Sequence, residues 1–210
     1  MKTPSKQMEV LQLSDLDLNG TYTYADYMNW KFAERVELMW GKIFKMSPTP
    51  NMFHQKVATR LTSRLEVYFS KHSCEAFVAP FDVRLPQKNG SGKNPSTVVQ
   101  PDICVICDLS KLDVQGCNGA PDWVIEILSP GNTSKEMREK FQVYQESGVR
   151  EYWIVDPMEK NVTSYVLNDE GLFIGKPPYI EIDTDAFPYI FPELKINLQE
   201  IFDLSWLKGR

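Results

Sequence analysis

The sequence predicts a mixed α/β fold in a single domain, and three observations carry that reading. The chain has 210 residues, an ordinary size for one domain and enough for a real core. Short apolar runs rich in β-branched residues and bounded by proline recur along it, as strands do. Two longer segments, about 52–71 and about 135–147, instead repeat apolar residues at helical spacing. Residues 1–20 read as a loose N-terminal leader with a few apolar anchors, and 21–210 as the domain.

The elements follow in order. Thr23 to Asp26 has the spacing of a capping box, with Asp in place of the usual Glu, and opens a short helix reaching about Trp30. Glu34 to Pro48 reads as two short strands around a turn at Trp40-Gly41. Asn51 is a candidate N-cap for the helix whose stripe is Val57, Leu61, Leu65 and Tyr68. His54 shares that face; it is either a hydrogen-bonded histidine near the helix start or a residue at the edge of a site. Ala76–Ala79 and Phe81–Leu85 read as strands, the second with Asp82 and Arg84 on its outer face. Gln87–Thr97 is polar, holds two glycines, Lys88 and Lys93, and reads as a flexible loop. The second long helix ends at Gly148, with Met137, Phe141 and Tyr144 facing inward and Lys140 on or beside that stripe. Glu151–Pro157 and Asn161–Leu167 form a hairpin through Met158-Glu159-Lys160. Strand material near Tyr179–Ile182 and Phe191–Ile196 and a last short helix near Leu198–Phe202 follow.

Charge and cysteine usage narrow the function classes. The formal net charge is -5, which argues against a protein that coats nucleic acid by electrostatics alone. No apolar run reaches the roughly 18 residues of a transmembrane helix. Met1–Gln7 lacks the apolar core of a secretory signal, so a cytoplasmic protein with reduced thiols is expected. Cys104 and Cys107 have zinc-like spacing, but a separation of three within a strand puts them on opposite faces. Buried small hydrophobes are the expectation for them.

Two strands carry the chemistry. Val99–Ile106 contains Asp102, and Pro121–Pro130 contains Glu126. An unpaired carboxylate in an apolar run is costly or shifts its pKa. Two such acids on neighbouring strands suggest a bound cation between them. Mg²⁺ (or Mn²⁺) suits a site with one or two protein carboxylates, completed by waters and phosphate oxygens. A nearby ammonium would orient or help deprotonate an attacking water, or neutralise charge on the phosphate. The usual arrangement is an Asp, then acid-x-Lys on the next strand. Here Leu128 stands at the lysine position, so the lysine must come from elsewhere, and Lys140 is the candidate. The alternative is that these acids cap helices or pair with Lys and Arg.

These residues resemble a known family. The matching stretches are Val36–Ile43 with Met46-Ser47-Pro48, His54, Pro101-Asp102, Asp122–Pro130, Lys140, Tyr144, Gly148–Pro157 and Phe191–Leu194. They are similar to the Uma2-like putative endonucleases of the PD-(D/E)XK restriction-endonuclease-like superfamily. The resemblance implies a restriction-endonuclease-like α/β core, a mixed central β-sheet flanked by helices. It implies a Mg²⁺-dependent DNA endonuclease with Asp102 and Glu126 as metal ligands, Lys140 as the displaced lysine and Glu37 near the metal. His54, Gln100 and Tyr144 are candidate accessory residues. DNA is the expected substrate, and a homodimer the expected assembly if both strands are cut. A catalytically inactive module that keeps the fold to bind nucleic acid or a protein is the competing expectation. Trp40 departs from the family pattern, which has Asp before the turn glycine, and packing is its expected role.

Overall fold

The apolar runs divide between two sheets, a division the sequence alone does not reveal. In the structure, a computed structural model, residues 9–46, 51–86, 95–180 and 182–205 are described. Along the chain, α1 (Tyr24–Tyr27) leads into the hairpin of β1 (Val36–Met39) and β2 (Lys42–Lys45). Helix α2 (Met52–Phe69), β3 (Glu75–Val78), β4 (Val83–Leu85), β5 (Thr97–Val99) and β6 (Ile103–Ile106) follow. Next come β7 (Leu112–Asp113), β8 (Gly116–Asn118) and β9 (Trp123–Ile127), then α3 (Ser134–Ser147) and the hairpin of β10 (Glu151–Asp156) and β11 (Asn161–Leu167). The chain closes with β12 (Phe173–Gly175), the small ladder of β13 (Asp185–Ala186) and β14 (Ile196–Asn197), and α4 (Leu198–Phe202).

One sheet has the order β2-β1-β5-β4-β8-β7, the other β12-β11-β10-β9-β6-β3. Both are mixed. In the second, β9 and β10 run parallel and are joined by α3, as a parallel pair requires a crossover. Its central strands are buried on both faces, which explains their continuous apolar sequence. Ile103, Val105, Trp123, Ile125 and Ile127 pack with Val57, Leu61 and Leu65 of α2 on one side. Cys104, Ile106 and Val124 pack on the other side with Val143 and Tyr144 of α3 and with Met39, Val83 and Val99 of the first sheet. The chain passes between the sheets through Gln100-Pro101-Asp102.

Local signals behave as physics dictates. Thr23 and Asp26 form the capping box, Asn51 caps α2 through the His54 N–H, and Gly148 ends α3 at φ 87°. The hairpin turn sets Trp40 at φ 50° and Gly41 at φ 80°, the left-handed pair that a tight hairpin twist favours. A Cβ on Gly41 would sit 2.5 Å from Thr21 Cγ2, so the turn also needs glycine for space. Trp40 is held there by packing and by its indole N–H, which donates to Glu146 at 3.0 Å.

Several expectations need correction. Arg84 is buried, because β4 lies inside its sheet, and it pairs with Asp113 at 2.6 Å. Tyr179 makes only an isolated bridge to Val162, and of the Phe191–Ile196 segment only Ile196 enters a strand. The thiols are not all reduced: Cys74 and Cys107 form a disulfide. The β3–β6 register pairs Glu75 with Ile106, so one step on these cysteines face each other. Cys104 and Cys117 are free and buried, and Cys104 and Cys107 do point to opposite cores. Within the leader, Leu13 is a buried anchor and Val10 bridges to Trp30. Ser47-Pro48 of the resemblance and most of the Gln87–Thr97 loop, with Lys88 and Lys93, lie outside the described residues.

Candidate functional site

The register brings the two acids together, Glu126 within β9 and Asp102 one residue before β6. Strands β6 and β9 pair antiparallel with Ile103 opposite Ile125; carried one residue further, Asp102 stands opposite Glu126. Directly opposed residues on one face of such a pair are close neighbours. Asp102 Oδ2 accepts from the Ile127 N–H at 2.8 Å and lies 3.1 Å from His54 Nε2. Glu126 Oε1 accepts from Lys140 Nζ at 3.0 Å and from the Tyr144 hydroxyl at 2.6 Å. Lys140 and Tyr144 are i and i+4 on α3, so one helical face delivers both donors.

Glu37 arrives from the other sheet. Its Oε1 lies 3.2 Å from Lys140 Nζ and accepts from the Gln100 N–H at 2.8 Å. Lys140 therefore bridges two acids and is only 4 % exposed. The Gln100 side chain is a second hub: it accepts from Arg35 at 2.6 Å and donates to Asp82 at 2.8 Å. A cavity of about 410 Å³ opens over this group, lined among others by Arg35, His54, Asp102, Glu126, Asn132 and Lys140.

Electrostatics follow from burial and crowding. Burial pushes the Glu126 carboxyl up to about 7, against the pull of Lys140 and with the help of Asp102 and Glu37. Burial works against the Lys140 ammonium, but Glu126 and Glu37, with Asp102, hold its pKa well above the ordinary value. Burial, then the same two glutamates, raise the Tyr144 phenol. Lys140 is thus a fixed cation and hydrogen-bond donor, poorly suited to take a proton.

Every residue named from the sequence is in this cluster: Asp102, Glu126, Lys140, Glu37, His54, Gln100 and Tyr144. Sequence reasoning missed Arg35, Asp82 and Tyr27 around Gln100, and Asn132 with Glu136 at the start of α3. The one available signal was local: Asn132 lies three residues after Ser129, and its side chain accepts the Ser129 N–H. Among the described residues, no three His, Cys, Asp or Glu side chains form a group that could hold a metal ion by themselves. No helix there is long and apolar enough to cross a membrane.

The mixed α/β fold is shared with a solved protein. The crystal structure of a putative nuclease belonging to DUF820 from Anabaena variabilis superposes with a TM-score of 0.65 at 21 % identity, covering 89 % of this chain and 99 % of that one. At that identity the likeness shows the fold. The family model described as Uma2, putative restriction endonuclease, matches residues 24–198, and the chain belongs to that family. Among curated proteins none matches.

Proposed function

We propose that this protein is a divalent-metal-dependent DNA endonuclease, hydrolysing phosphodiester bonds at the Asp102–Glu126–Lys140 cluster. The observation that carries the reading is the opposition of Asp102 and Glu126 at the floor of an open cavity, with a locked lysine beside them. The donor set fits Mg²⁺ or Mn²⁺, which favour carboxylate oxygens and retain waters. Burial is the main cause that raises the Glu126 carboxyl, with Asp102 and Glu37 adding to it against Lys140, and a cation beside Glu126 would favour its ionised form. Asp102 and Glu126 would hold the ion. When bound, it supplies Lewis acidity and a water of lowered pKa.

The chain's own residues do the remaining work. The Ile127 N–H fixes Asp102, and Tyr144 and Lys140 fix Glu126. Lys140, kept protonated, offers positive charge to a phosphate as negative charge builds there. Glu37 keeps Lys140 in place from the opposite sheet. Arg35, exposed at the cavity mouth and already tied to Gln100, suits a phosphate of the DNA backbone.

Nicking of supercoiled plasmid in Mg²⁺ or Mn²⁺ tests this reading: activity should vanish with chelation and in Asp102→Asn and Glu126→Gln. Nicking that survives both substitutions would sink it. The second reading, an inactive nuclease-fold module, draws on the neutral Leu128 at the usual lysine position; DNA binding without cleavage, unaffected by either substitution, would favour it. A homodimer is proposed only for double-strand cutting, and light scattering measures it.

A further inference from the structure

We infer that His54 is a positioning residue that commits one oxygen of Asp102 and leaves the other for the cation; this rests on the nuclease reading above. Three observations carry it. Asp102 Oδ2 has two neighbours that can donate, the Ile127 N–H at 2.8 Å and His54 Nε2 at 3.1 Å, so Oδ1 is the oxygen left uncommitted by this pair. A histidine facing a carboxylate carries a proton on the facing nitrogen, so the ring donates through Nε2. The other ring nitrogen, Nδ1, is buried and has no hydrogen-bond partner among the described residues, in a residue only 5 % exposed.

An orphaned buried nitrogen works against stability. The ring is not needed to start α2 either, because Asn51 caps the helix through the backbone N–H of His54. An apolar residue on the same helical face would serve the core at least as well. Among the described residues, the ring's single polar contact goes to Asp102. Hydrogen-bond donors of this sort orient a carboxylate for a metal and typically change affinity about 10–100-fold when removed.

The experiment compares wild type, His54→Leu and His54→Gln by calorimetric titration with Mn²⁺ alone, by urea unfolding, and by single-turnover plasmid nicking. His54→Leu should weaken Mn²⁺ binding about 10–100-fold, keep or raise the unfolding midpoint, and lower the nicking rate without raising the DNA concentration needed for half-saturation. His54→Gln, whose amide can donate toward Oδ2, should recover Mn²⁺ affinity to within a few-fold of wild type. Should His54→Leu fail to fold, His54→Asn, whose shorter amide falls short of Oδ2, takes its place and should bind Mn²⁺ as weakly. Equal Mn²⁺ affinity in wild type and His54→Leu (or His54→Asn), or a folded His54→Gln as weak as either, overturns the assignment and leaves the nuclease reading standing. No Mn²⁺ binding by wild type overturns that reading and this one together.

Discussion

Glu126 and Glu151 sit on neighbouring parallel strands, β9 and β10, and both are buried acids whose pKa burial raises. Their surroundings differ. Both oxygens of Glu151 are taken by N–H donors: Oε1 by Trp153 Nε1 at 2.6 Å and the Tyr189 N–H at 3.0 Å, Oε2 by the Ile190 N–H at 2.8 Å. It clamps the C-terminal segment to the sheet. The two bonds to Glu126 both land on Oε1, come from side chains, and lie beside a cavity. A buried acid saturated by backbone and indole N–H donors is structural, and one held by a lysine and a phenol beside open space is available for chemistry.

The largest expected effect would break this contrast outright. Glu126→Gln and Asp102→Asn should each cut nicking by about 10³-fold or more, the scale of losing a preorganised electrostatic group, while Glu151→Gln leaves nicking per folded molecule unchanged. A plasmid assay in which all three behave alike would erase the distinction.

Next comes Lys140→Met. It leaves Glu37 and Glu126 buried without their shared cation and should cost about 3–5 kcal/mol in urea unfolding. A loss of nicking with unchanged stability would mean that the ammonium is not the keystone of the cluster. Glu151→Gln follows, with an expected loss of about 1–3 kcal/mol, because an amide NH₂ meets a backbone N–H where an acceptor stood.

The smallest effect is in pH. Burial raises Glu151 above its ordinary 4.5 in the fold, so the folded state holds this proton more tightly than the unfolded chain. Its contribution is full below the ordinary value and is lost as pH rises through the folded value. Wild type should therefore exceed Glu151→Gln in unfolding free energy by more at about pH 4 than at about pH 7. A gap that widens with pH would reverse the assignment.

What the sequence made legible was local. The helices α2 and α3, the β1–β2 and β10–β11 hairpins and the Glu126 strand are written in periodicity, caps and turn residues, which act over a few positions. The single strand expected over Val99–Ile106 is instead split into β5 and β6 of different sheets, with Asp102 in the link between them. Lys140 was placed inward by its spacing from Met137 and Tyr144 alone. The partition into two sheets was not legible, because β4 to β8 are short and choose partners through tertiary contacts. Arg84 shows the cost: its alternation with Val83 and Leu85 reads as an exposed face, yet Asp113 across the sheet makes burial tolerable. The Cys74–Cys107 pairing depends on β3–β6 register, and the meeting of Gln100 with Arg35, Asp82 and Tyr27 on the approach of four separate segments. Glu37 joined the site from the sequence only through the family resemblance, since nothing in its own strand announces the lysine it meets.

The three residues Gln100-Pro101-Asp102 connect one sheet to the other, and each end is pinned: the Gln100 N–H to Glu37, Asp102 to Ile127. This span therefore behaves as a ruler of fixed length. Insert one residue and strand alternation turns Asp102 to the opposite side of its sheet, or else Gln100 slips off Glu37. Surface loops elsewhere in the chain are free to lengthen and diverge. This joint is not, and a homologue that gained or lost a residue here would keep its fold only by giving up the meeting of its acids.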